Sequence, residues 1–350
     1  MKANAWKRSV APRAPAVPMQ PLIDAAGWDP KQMAVSDEWT YTLSDAERGE
    51  VLDAVASREA AGGSLLDTRR EDFSLPSFAA RLRDIRDELM TGRGFVLIRG
   101  LPFEAMSQSA FATAFWGVGL HLGAPISQNA QGQLLGHVKD IGGAYLEDRA
   151  YTTKAALKFH CDSCDVLGLA CIHAGKSGGE HLLCSSVTVY NEMLKRRPDL
   201  LKELIGLYPR ARPGDGYGAD TPWIMQSIFA FHDGYFTSRA ASQAIDKAQK
   251  IPGAPKLTPS QIEALAVFRA MCDEFALEIH FEPGDIFFVM NHTLMHSRKA
   301  FEDWPESHRK RHLLRLWLSN GVRPLPDDIA KRMSGVKSKT GAYTASLEVA

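Results

Sequence analysis

Residues 283–296 read Pro-Gly-Asp-Ile-Phe-Phe-Val-Met-Asn-His-Thr-Leu-Met-His, and the fold is inferred outward from this stretch. A turn signal at 283–285 is followed by five apolar residues, 286–290, and then by the polar sequence Asn291-His292 and by His296. A short apolar run of β-forming residues that follows a Pro-Gly turn is typical of a buried strand. The stretch therefore predicts a core strand with polar side chains just after its end.

Similar short apolar runs recur along the chain. They predict further strands at 94–100, 134–139, 166–174, 180–185 and 311–319. Helical periodicity predicts helices at 43–61, 75–90, 106–120, 187–195, 198–205 and 259–279, and a turn signal predicts a hairpin at 223–236. Short strands interleaved with helices, without regular βαβ alternation, favour a mainly β fold with helical insertions (α+β) around a β-sandwich core.

Length and composition limit the classes of protein that the chain can form. It has 350 residues, 45% of them hydrophobic, and its 41 basic and 41 acidic side chains give no net charge. This balance argues against affinity for nucleic acid through a general positive field. No apolar run approaches the ~18 residues of a membrane span, and five cysteines do not suggest a disulfide framework. We expect a cytoplasmic globular protein that has no nucleic-acid or membrane partner and that forms, at most, a homo-oligomer.

The chain divides into four parts by composition. Residues 1–25 are rich in proline and predict a flexible N-terminal arm or a strap over the surface. Residues 26–93 form a helical flank packed on the core, 94–320 form the main domain, and 321–350 form a C-terminal tail. The glycine-rich segment 212–221 predicts a mobile loop, which could order when a ligand binds.

The strongest chemical signal is Phe159-His160-Cys161-Asp162. On a strand, residues i and i+2 point to the same face, so an imidazole and a carboxylate placed in this way can reach one metal ion. A third ligand from elsewhere would complete a facial two-histidine, one-carboxylate site with open positions. The alternative is an unrelated histidine and acid, since this spacing arises often by chance.

Two further signals follow the strand at 286–290. His292 and His296 are both candidates for the third ligand, and Arg311 and Arg315 lie within the apolar run 311–319. A buried arginine in an apolar strand is costly unless an anion meets it. Arg311 therefore suggests a site for an acidic cosubstrate, and an ordinary internal salt bridge is the alternative.

In their order and spacing, these motifs resemble the taurine dioxygenase-like (TauD/TfdA) family of iron(II)- and 2-oxoglutarate-dependent oxygenases. The resemblance covers about residues 94–319 and rests on the following motifs: His160-x-Asp162, Gly178-Gly-Glu-His181, Phe281-Glu-Pro-Gly-Asp285, Asn291-His-x-x-x-His296 and Arg311-x-x-x-Arg315. Two positions depart from the family. His181 stands where the family usually has a hydroxyl residue, and His292 stands where it often has an arginine.

The resemblance implies a double-stranded β-helix core (a jelly roll of the clavaminate synthase-like type). It implies that His160, Asp162 and His296 bind Fe(II), with O2 and 2-oxoglutarate as cosubstrates. Arg311 would bind the distal carboxylate of 2-oxoglutarate, and His181 and Arg315 are the other cosubstrate-binding candidates. Asp162 favours hydroxylation or a related oxidation, because family members that halogenate lack this carboxylate.

The substrate is expected to be a small polar organic molecule. Candidate substrate contacts, by position, are Gln128, Asn129, Tyr217 and Arg315. Two other functions stay open. One is a non-catalytic, metal-binding jelly-roll protein that acts as a sensor or binding module, and the other is a zinc-dependent hydrolase using His292, His296 and an acid.

Overall fold

The computed structural model describes residues 5–9, 11–141, 153–212, 221–321 and 323–345. Its helices are α1 (Pro30–Ala34), α2 (Asp45–Ala61), α3 (Phe78–Thr91), α4 (Gln108–Leu120), α5 (Ser186–Arg196), α6 (Pro198–Ile205), α7 (Gln243–Ala248), α8 (Pro259–Glu274) and α9 (Asp327–Ala330). The strands in its first half are β1 (Thr40–Thr42), β2 (Phe95–Arg99), β3 (Ala124–Pro125), β4 (Leu135–Lys139), β5 (Leu157–His160), β6 (Val166–His173), β7 (Ser177–Gly178) and β8 (His181–Ser185). Those in its second half are β9 (Leu207–Ala211), β10 (Trp223–Ser227), β11 (Phe229–His232), β12 (Tyr235–Ser238), β13 (Ala276–Ile279), β14 (Ile286–Met290), β15 (Leu294–Arg298), β16 (Phe301–Glu302) and β17 (His312–Ser319).

Two sheets build the core. The larger sheet has the order β1-β2-β14-β6-β17-β3, with β4 also paired to β17. The smaller sheet has the order β13-β8-β15-β5. Apart from the parallel pair β1–β2, the neighbours in both sheets run antiparallel. This arrangement confirms the predicted mainly β fold with a jelly-roll core and helical insertions.

Along β14 and β17, successive side chains alternate between the two faces of the larger sheet. Phe287 and Trp317 pack in the core that the two sheets share, together with Met295 of the smaller sheet. Ile286 and Leu316 pack instead against the helices α2, α3 and α4. Because successive side chains of a strand point to opposite faces, the odd-numbered positions of 311–317 face the interior between the sheets.

The first residues of the chain lie as a strap across the surface. The Ala16 N–H donates to the Gly234 carbonyl at 2.8 Å, and the Met19 N–H donates to the Tyr190 hydroxyl at 2.8 Å. Leu22 is buried. The residues from 11 onward therefore run along the folded surface, and the division of the chain into four parts stays a prediction. The C-terminal segment also folds back, and the Thr344 N–H donates to the Gly132 carbonyl at 2.9 Å.

Two predicted elements differ from the structure. The helix expected over 259–279 ends at Glu274, and the chain continues as strand β13, which pairs with β8. The hairpin expected over 223–236 is formed by β11 and β12, whereas β10 pairs with β9. Asp233 and Gly234 at the hairpin turn have φ of 47° and 71°, which matches the two left-handed positions of a tight hairpin.

No helix in the described part of the chain combines the length and the apolar character needed to cross a membrane.

Candidate metal centre

Three predicted ligands meet between the sheets. Each of them offers one ligand atom, and the three atoms, from His160, Asp162 and His296, all lie within 4.8 Å of one another. His160 ends β5 and is the register partner of His296 in β15, so the two imidazoles lie side by side with ring centroids 4.3 Å apart. Asp162 lies two residues beyond the end of β5 and does not share a strand with His160. The i, i+2 argument on one strand was therefore wrong, although it identified two residues that meet.

Contacts from distant parts of the chain fix Asp162. Its Oδ2 accepts a hydrogen bond from the Trp317 indole at 2.8 Å and lies 3.6 Å from a guanidinium nitrogen of Arg315. Its backbone N–H donates to the Asn291 amide oxygen at 3.2 Å. The other carboxylate oxygen, Oδ1, is 3.9 Å from His160 Nε2. These contacts hold one oxygen away and turn the other toward the imidazoles.

Both imidazoles have a nitrogen available for a metal. His160 Nδ1 lies 2.9 Å from the Lys158 carbonyl. A carbonyl can only accept, so Nδ1 carries a proton, and the tautomer with this proton has its lone pair on Nε2. His296 is buried and its Nδ1 has no hydrogen-bond partner. Burial and the neighbouring His160 and His181 hold the pKa of His296 well below its usual value, so its ring is neutral. Two imidazoles and a carboxylate are a donor set that fits a divalent transition metal.

Arg311 lies at the start of β17 with its side chain buried. Only 4% of the residue is exposed, and burial lowers the pKa of the guanidinium to about 10. Its Nη2 makes one long contact of 3.4 Å with the Gly179 carbonyl, and its Nη1 has no partner. Among the described residues, no carboxylate lies within ion-pair distance of its side chain. The internal salt bridge considered as an alternative is therefore not formed there, and the site suits an anionic ligand.

Gly179 makes room for this guanidinium. It has φ of 77°, and a Cβ at this position would lie 3.0 Å from Arg311 Nε. A glycine at position 179 is therefore required both by the backbone conformation and by the close approach of Arg311.

His181 lies between the three-donor group and Arg311. It is buried, its Nε2 has no partner, and its ring lies nearly parallel to that of His296 with centroids 5.6 Å apart. Burial, with the charge of Arg311, lowers the pKa of His181 to about 3, so the ring is neutral. One small cavity is lined by the side chains of His160, Asp162, His181, His296, Arg311 and Arg315.

The remaining predicted contacts take different positions. Gln128 is buried beside the site, where its Oε1 accepts from Arg315 Nε at 2.6 Å and its Nε2 donates to the Arg315 carbonyl at 2.8 Å. Asn129 holds its own loop, since its Oδ1 accepts from the backbone N–H groups of Gln131 and Gln133. Both amides are thus engaged inside the protein. Tyr217 and most of the loop expected at 212–221 lie outside the described residues.

His292, the rival of His296, is engaged through both ring nitrogens. Its Nε2 lies 2.8 Å from Asp165 Oδ1, and its Nδ1 lies 2.9 Å from the Thr237 hydroxyl. It is fully buried and does not belong to the three-donor group. The pairing of His292 with His296 that a zinc hydrolase would need is not present among the described residues.

Trp317 is a site residue that was not predicted. It lies two positions after Arg315 in β17, so both side chains face the interior. The period of two that runs from Arg311, directly before β17, through Arg315 is the signal that could have identified it.

Comparison with known proteins relates this geometry to a family. The family model described as "Taurine catabolism dioxygenase TauD, TfdA family" matches residues 58–317. The chain is 29% identical over 336 residues to FR-33289 synthase of Streptomyces rubellomurinus, covering 91% of this chain and 96% of that protein. It is 26% identical over 312 residues to the taurine hydroxylase-like protein SAT17 of Stachybotrys chartarum, covering 84% of this chain and 79% of that protein.

Solved structures share the fold. A structure of asparagine oxygenase with Fe(II), 3-hydroxyasparagine and succinate superposes with a TM-score of 0.66 at 18% identity, covering 80% of this chain and 93% of that chain. The non-heme iron oxygenase OrfP, in complex with Fe and alpha-ketoglutaric acid, gives a TM-score of 0.61 at 18% identity, covering 80% and 94% of the two chains.

Proposed function

This chain belongs to the taurine catabolism dioxygenase TauD, TfdA family, and we propose that it is an iron(II)- and 2-oxoglutarate-dependent dioxygenase that hydroxylates a small polar organic substrate. One observation carries the proposal. A group of two imidazoles and a carboxylate shares a cavity with a buried guanidinium that has no acidic partner among the described residues.

His160, Asp162 and His296 would hold the iron. Their donor atoms converge. The Lys158 carbonyl orients His160 and the Trp317 indole orients Asp162, so both ligands are fixed before a metal binds. Contacts of this kind from outside the ligand set raise metal affinity, because they fix the tautomer and direction of each ligand. Bound there with 2-oxoglutarate, iron(II) supplies the chemistry of this class, in which oxidative decarboxylation to succinate and CO2 is coupled to oxidation of the substrate.

Arg311 would bind the distal carboxylate of 2-oxoglutarate. A bidentate guanidinium–carboxylate pair both recovers the cost of the buried charge and fixes the direction of the cosubstrate. His181, neutral and without a partner on Nε2, would offer a hydrogen bond to the same molecule from the side of the cavity between Arg311 and His296. It would take the place of the hydroxyl residue that other members carry.

Arg315 would orient Asp162, and Gln128 would in turn fix the position of the Arg315 guanidinium. The carboxylate-facing nitrogen of Arg315 lies 3.6 Å from Asp162 Oδ2, and Gln128 fixes the guanidinium through its Nε. Arg315 would thus position a metal ligand, and other residues would recognise the substrate.

The test is anaerobic reconstitution of the full chain with Fe(II), followed by measurement of O2 uptake and succinate formation with 2-oxoglutarate and a panel of small amino and sulfonic acids. We expect O2 uptake that requires both iron and 2-oxoglutarate and that increases with one class of substrate. Zinc in place of iron should give none. Tight binding of metal and 2-oxoglutarate without any turnover would identify a non-catalytic sensor, and hydrolysis with zinc that ignores 2-oxoglutarate would identify a hydrolase.

A further inference from the structure

Phe301 is a buried aromatic residue that lies outside the hydrophobic core. It is 7% exposed and opens the short strand β16, but it belongs to none of the apolar clusters that the described residues form. A buried phenylalanine ordinarily packs against other apolar side chains in such a cluster. The surroundings of this ring are therefore not those of an ordinary core residue.

Two guanidinium groups lie against the ring instead. The Cζ atom of Arg311 is 5.3 Å from the ring centroid, and the Cζ atom of Arg298 is 4.8 Å from it. Both distances are within the ~6 Å at which the face of an aromatic ring attracts a cation. Both arginines line the cavity of the three-donor group, and Phe301 does not. The ring can therefore affect the site only through these arginines.

The two arginines differ in how firmly hydrogen bonds hold them. Nη2 of Arg298 donates to the carbonyls of Thr153 and Ala155, at 2.7 and 2.6 Å. Nη2 of Arg311 has only its long contact of 3.4 Å, and Nη1 has no partner among the described residues. Packing must therefore fix the direction of the Arg311 guanidinium, and Phe301 supplies that packing.

Two adjacent glycines allow the ring and the guanidinium to meet. Gly178 is the register partner of Phe301, and a Cβ at this glycine would collide with the Ala300 carbonyl. A Cβ at Gly179 would lie 3.1 Å from Cβ of Phe301 and 3.0 Å from Nε of Arg311. The motif 178–179 thus lets β16 approach closely and places Phe301 and Arg311 on one glycine turn.

An aromatic face suits a ligand-binding arginine better than an acidic side chain does. The ring offsets part of the cost of burying the positive charge, but it does not occupy the N–H groups of the guanidinium. A carboxylate in the place of Phe301 would neutralise Arg311 and take up the donors that bind a ligand's carboxylate. Phe301 therefore stabilises Arg311 and leaves its donors available.

We propose that Phe301 is a positioning residue, which holds the Arg311 guanidinium in the direction that receives the distal carboxylate of 2-oxoglutarate. The inference rests on the proposed function, because it takes Arg311 as the residue that binds the cosubstrate. A group that is already held in its bound direction loses less freedom on binding. The contribution of Phe301 is therefore expected in the affinity for 2-oxoglutarate and not in the chemistry at the metal.

The experiment measures 2-oxoglutarate binding by calorimetry, with the full chain and Fe(II) under anaerobic conditions. Phe301→Leu should weaken binding by roughly five- to thirtyfold, the range expected when a buried cation loses an aromatic face. Phe301→Tyr keeps the ring face and should bind more tightly than Phe301→Leu. If Phe301→Leu does not fold, Phe301→Met takes its place, because its flexible side chain fills space without an aromatic face. Wild-type affinity in the folded non-aromatic variant, or no gain from tyrosine, would overturn the proposal.

A double-mutant cycle tests whether Phe301 acts through Arg311. In the Arg311→Met background, replacing Phe301 by leucine should weaken 2-oxoglutarate binding no further, because the group that the ring positions is already absent. Effects that multiply would show that the two residues act independently, and would overturn the proposal.

Succinate formation at varied 2-oxoglutarate concentration separates positioning from a general structural effect. In Phe301→Leu, KM for 2-oxoglutarate should rise by about the factor seen in binding, and kcat should not change. Fe(II) affinity should also stay at the wild-type value. A lower kcat with an unchanged KM would overturn the role in binding the cosubstrate.

Phe275→Leu is the matched control. The Cζ atom of Arg196 also lies 5.3 Å from the Phe275 ring centroid, but this arginine is on the surface and pairs with Glu274 at 2.9 Å. The variant removes an aromatic face from an arginine away from the cavity and should bind 2-oxoglutarate like the wild type. Far-ultraviolet circular dichroism and the melting temperature establish that each variant is folded.

Failure of this inference is distinguishable from failure of the proposed function. If the wild type binds 2-oxoglutarate and Arg311→Met weakens that binding, but Phe301→Leu does not, only the role of Phe301 is wrong. If the wild type with Fe(II) does not bind 2-oxoglutarate, both are wrong.

Discussion

The indole Nε1 of Trp317 donates a hydrogen bond of 2.8 Å to Oδ2 of Asp162. The two residues are 155 positions apart in the chain, and the bond is buried. It leaves Oδ1 as the carboxylate oxygen nearest His160. An indole can only donate, so Oδ2 is the acceptor in this contact and is held in a fixed direction.

Replacing Trp317 by phenylalanine should weaken metal binding. The substitution keeps an aromatic ring in the core but removes the N–H that orients Asp162, and loss of such a partner typically costs about 10–100-fold in metal affinity. The measurement is the dissociation constant for Fe(II) or Co(II), with turnover measured again at excess metal. Trp39→Phe is the matched control, because it removes an indole hydrogen bond to the Met33 carbonyl, away from the site. Equal metal affinities of the two variants would contradict the role of Trp317.

Asp162→Ala should abolish substrate-dependent succinate formation. The change removes the single carboxylate of the three-donor group and leaves two imidazoles, which hold a divalent ion weakly without a third ligand. Succinate release and metal content after gel filtration are the measurements. Asp165→Asn provides a comparison, since that carboxylate binds His292 and not the three-donor group. Full turnover by Asp162→Ala would remove Asp162 from the proposed metal site.

Arg311→Met should leave the stability of the cosubstrate-free protein unchanged or raise it. The wild-type guanidinium is buried without an acidic partner, so its removal relieves a desolvation cost instead of breaking an ion pair. The same variant should bind 2-oxoglutarate at least tenfold more weakly, and calorimetry and the melting temperature with and without 2-oxoglutarate measure both effects.

Arg99→Met is the matched comparison for Arg311→Met. Arg99 forms a two-point pair with the buried Asp285, at 2.9 and 2.7 Å. Its loss leaves that carboxylate without its cation, and we expect about 2 kcal/mol of destabilisation, less than for a fully buried pair because Arg99 is partly exposed. Similar destabilisation by both variants would mean that Arg311 has a structural partner after all.

Contiguous apolar runs made most of the core predictable. Five apolar residues after a turn predict the strand Ile286–Met290, and helical periodicity predicts the helix Pro198–Ile205. The helix predicted over 259–279 was too long because the apolar pattern continues through Leu277 with no glycine or proline to mark the end of α8. The pairing of β13 with β8 decides where the helix ends, and the sequence around residue 274 does not show which distant strand will pair there.

The residues of the proposed site could be chosen from the sequence, but the contacts that support them could not. His160, Asp162, His296 and Arg311 carry the spacing of a family pattern. Trp317 contacts Asp162 only because the fold brings together two segments 155 residues apart, and no local pattern shows this contact.

The pair His137–His312 predicts how stability changes with pH. His312 is buried on the helix-facing side of β17, and its Nε2 lies 2.8 Å from His137 Nδ1. Burial, together with the neighbouring His137, Lys139 and His173, lowers the pKa of His312 to about 3. The folded state therefore resists a proton that the unfolded chain takes up near its ordinary pKa of about 6.5.

Since the pKa of His312 is lower in the folded state, its neutral form stabilises the fold fully above pH about 6.5, and this contribution decreases as the pH falls toward 3. Between pH 7 and pH 5, the free energy of unfolding of His312→Leu should decrease by about 1–2 kcal/mol less than that of the wild type. Urea denaturation at both pH values, in the same metal state, measures how much the free energy of unfolding of each protein changes with pH. Because only these changes are compared, a difference in stability at pH 7 between the variant and the wild type does not affect the result. If His312→Leu keeps the wild-type slope, then His312 binds its proton in the folded state and its burial does not control the acid sensitivity.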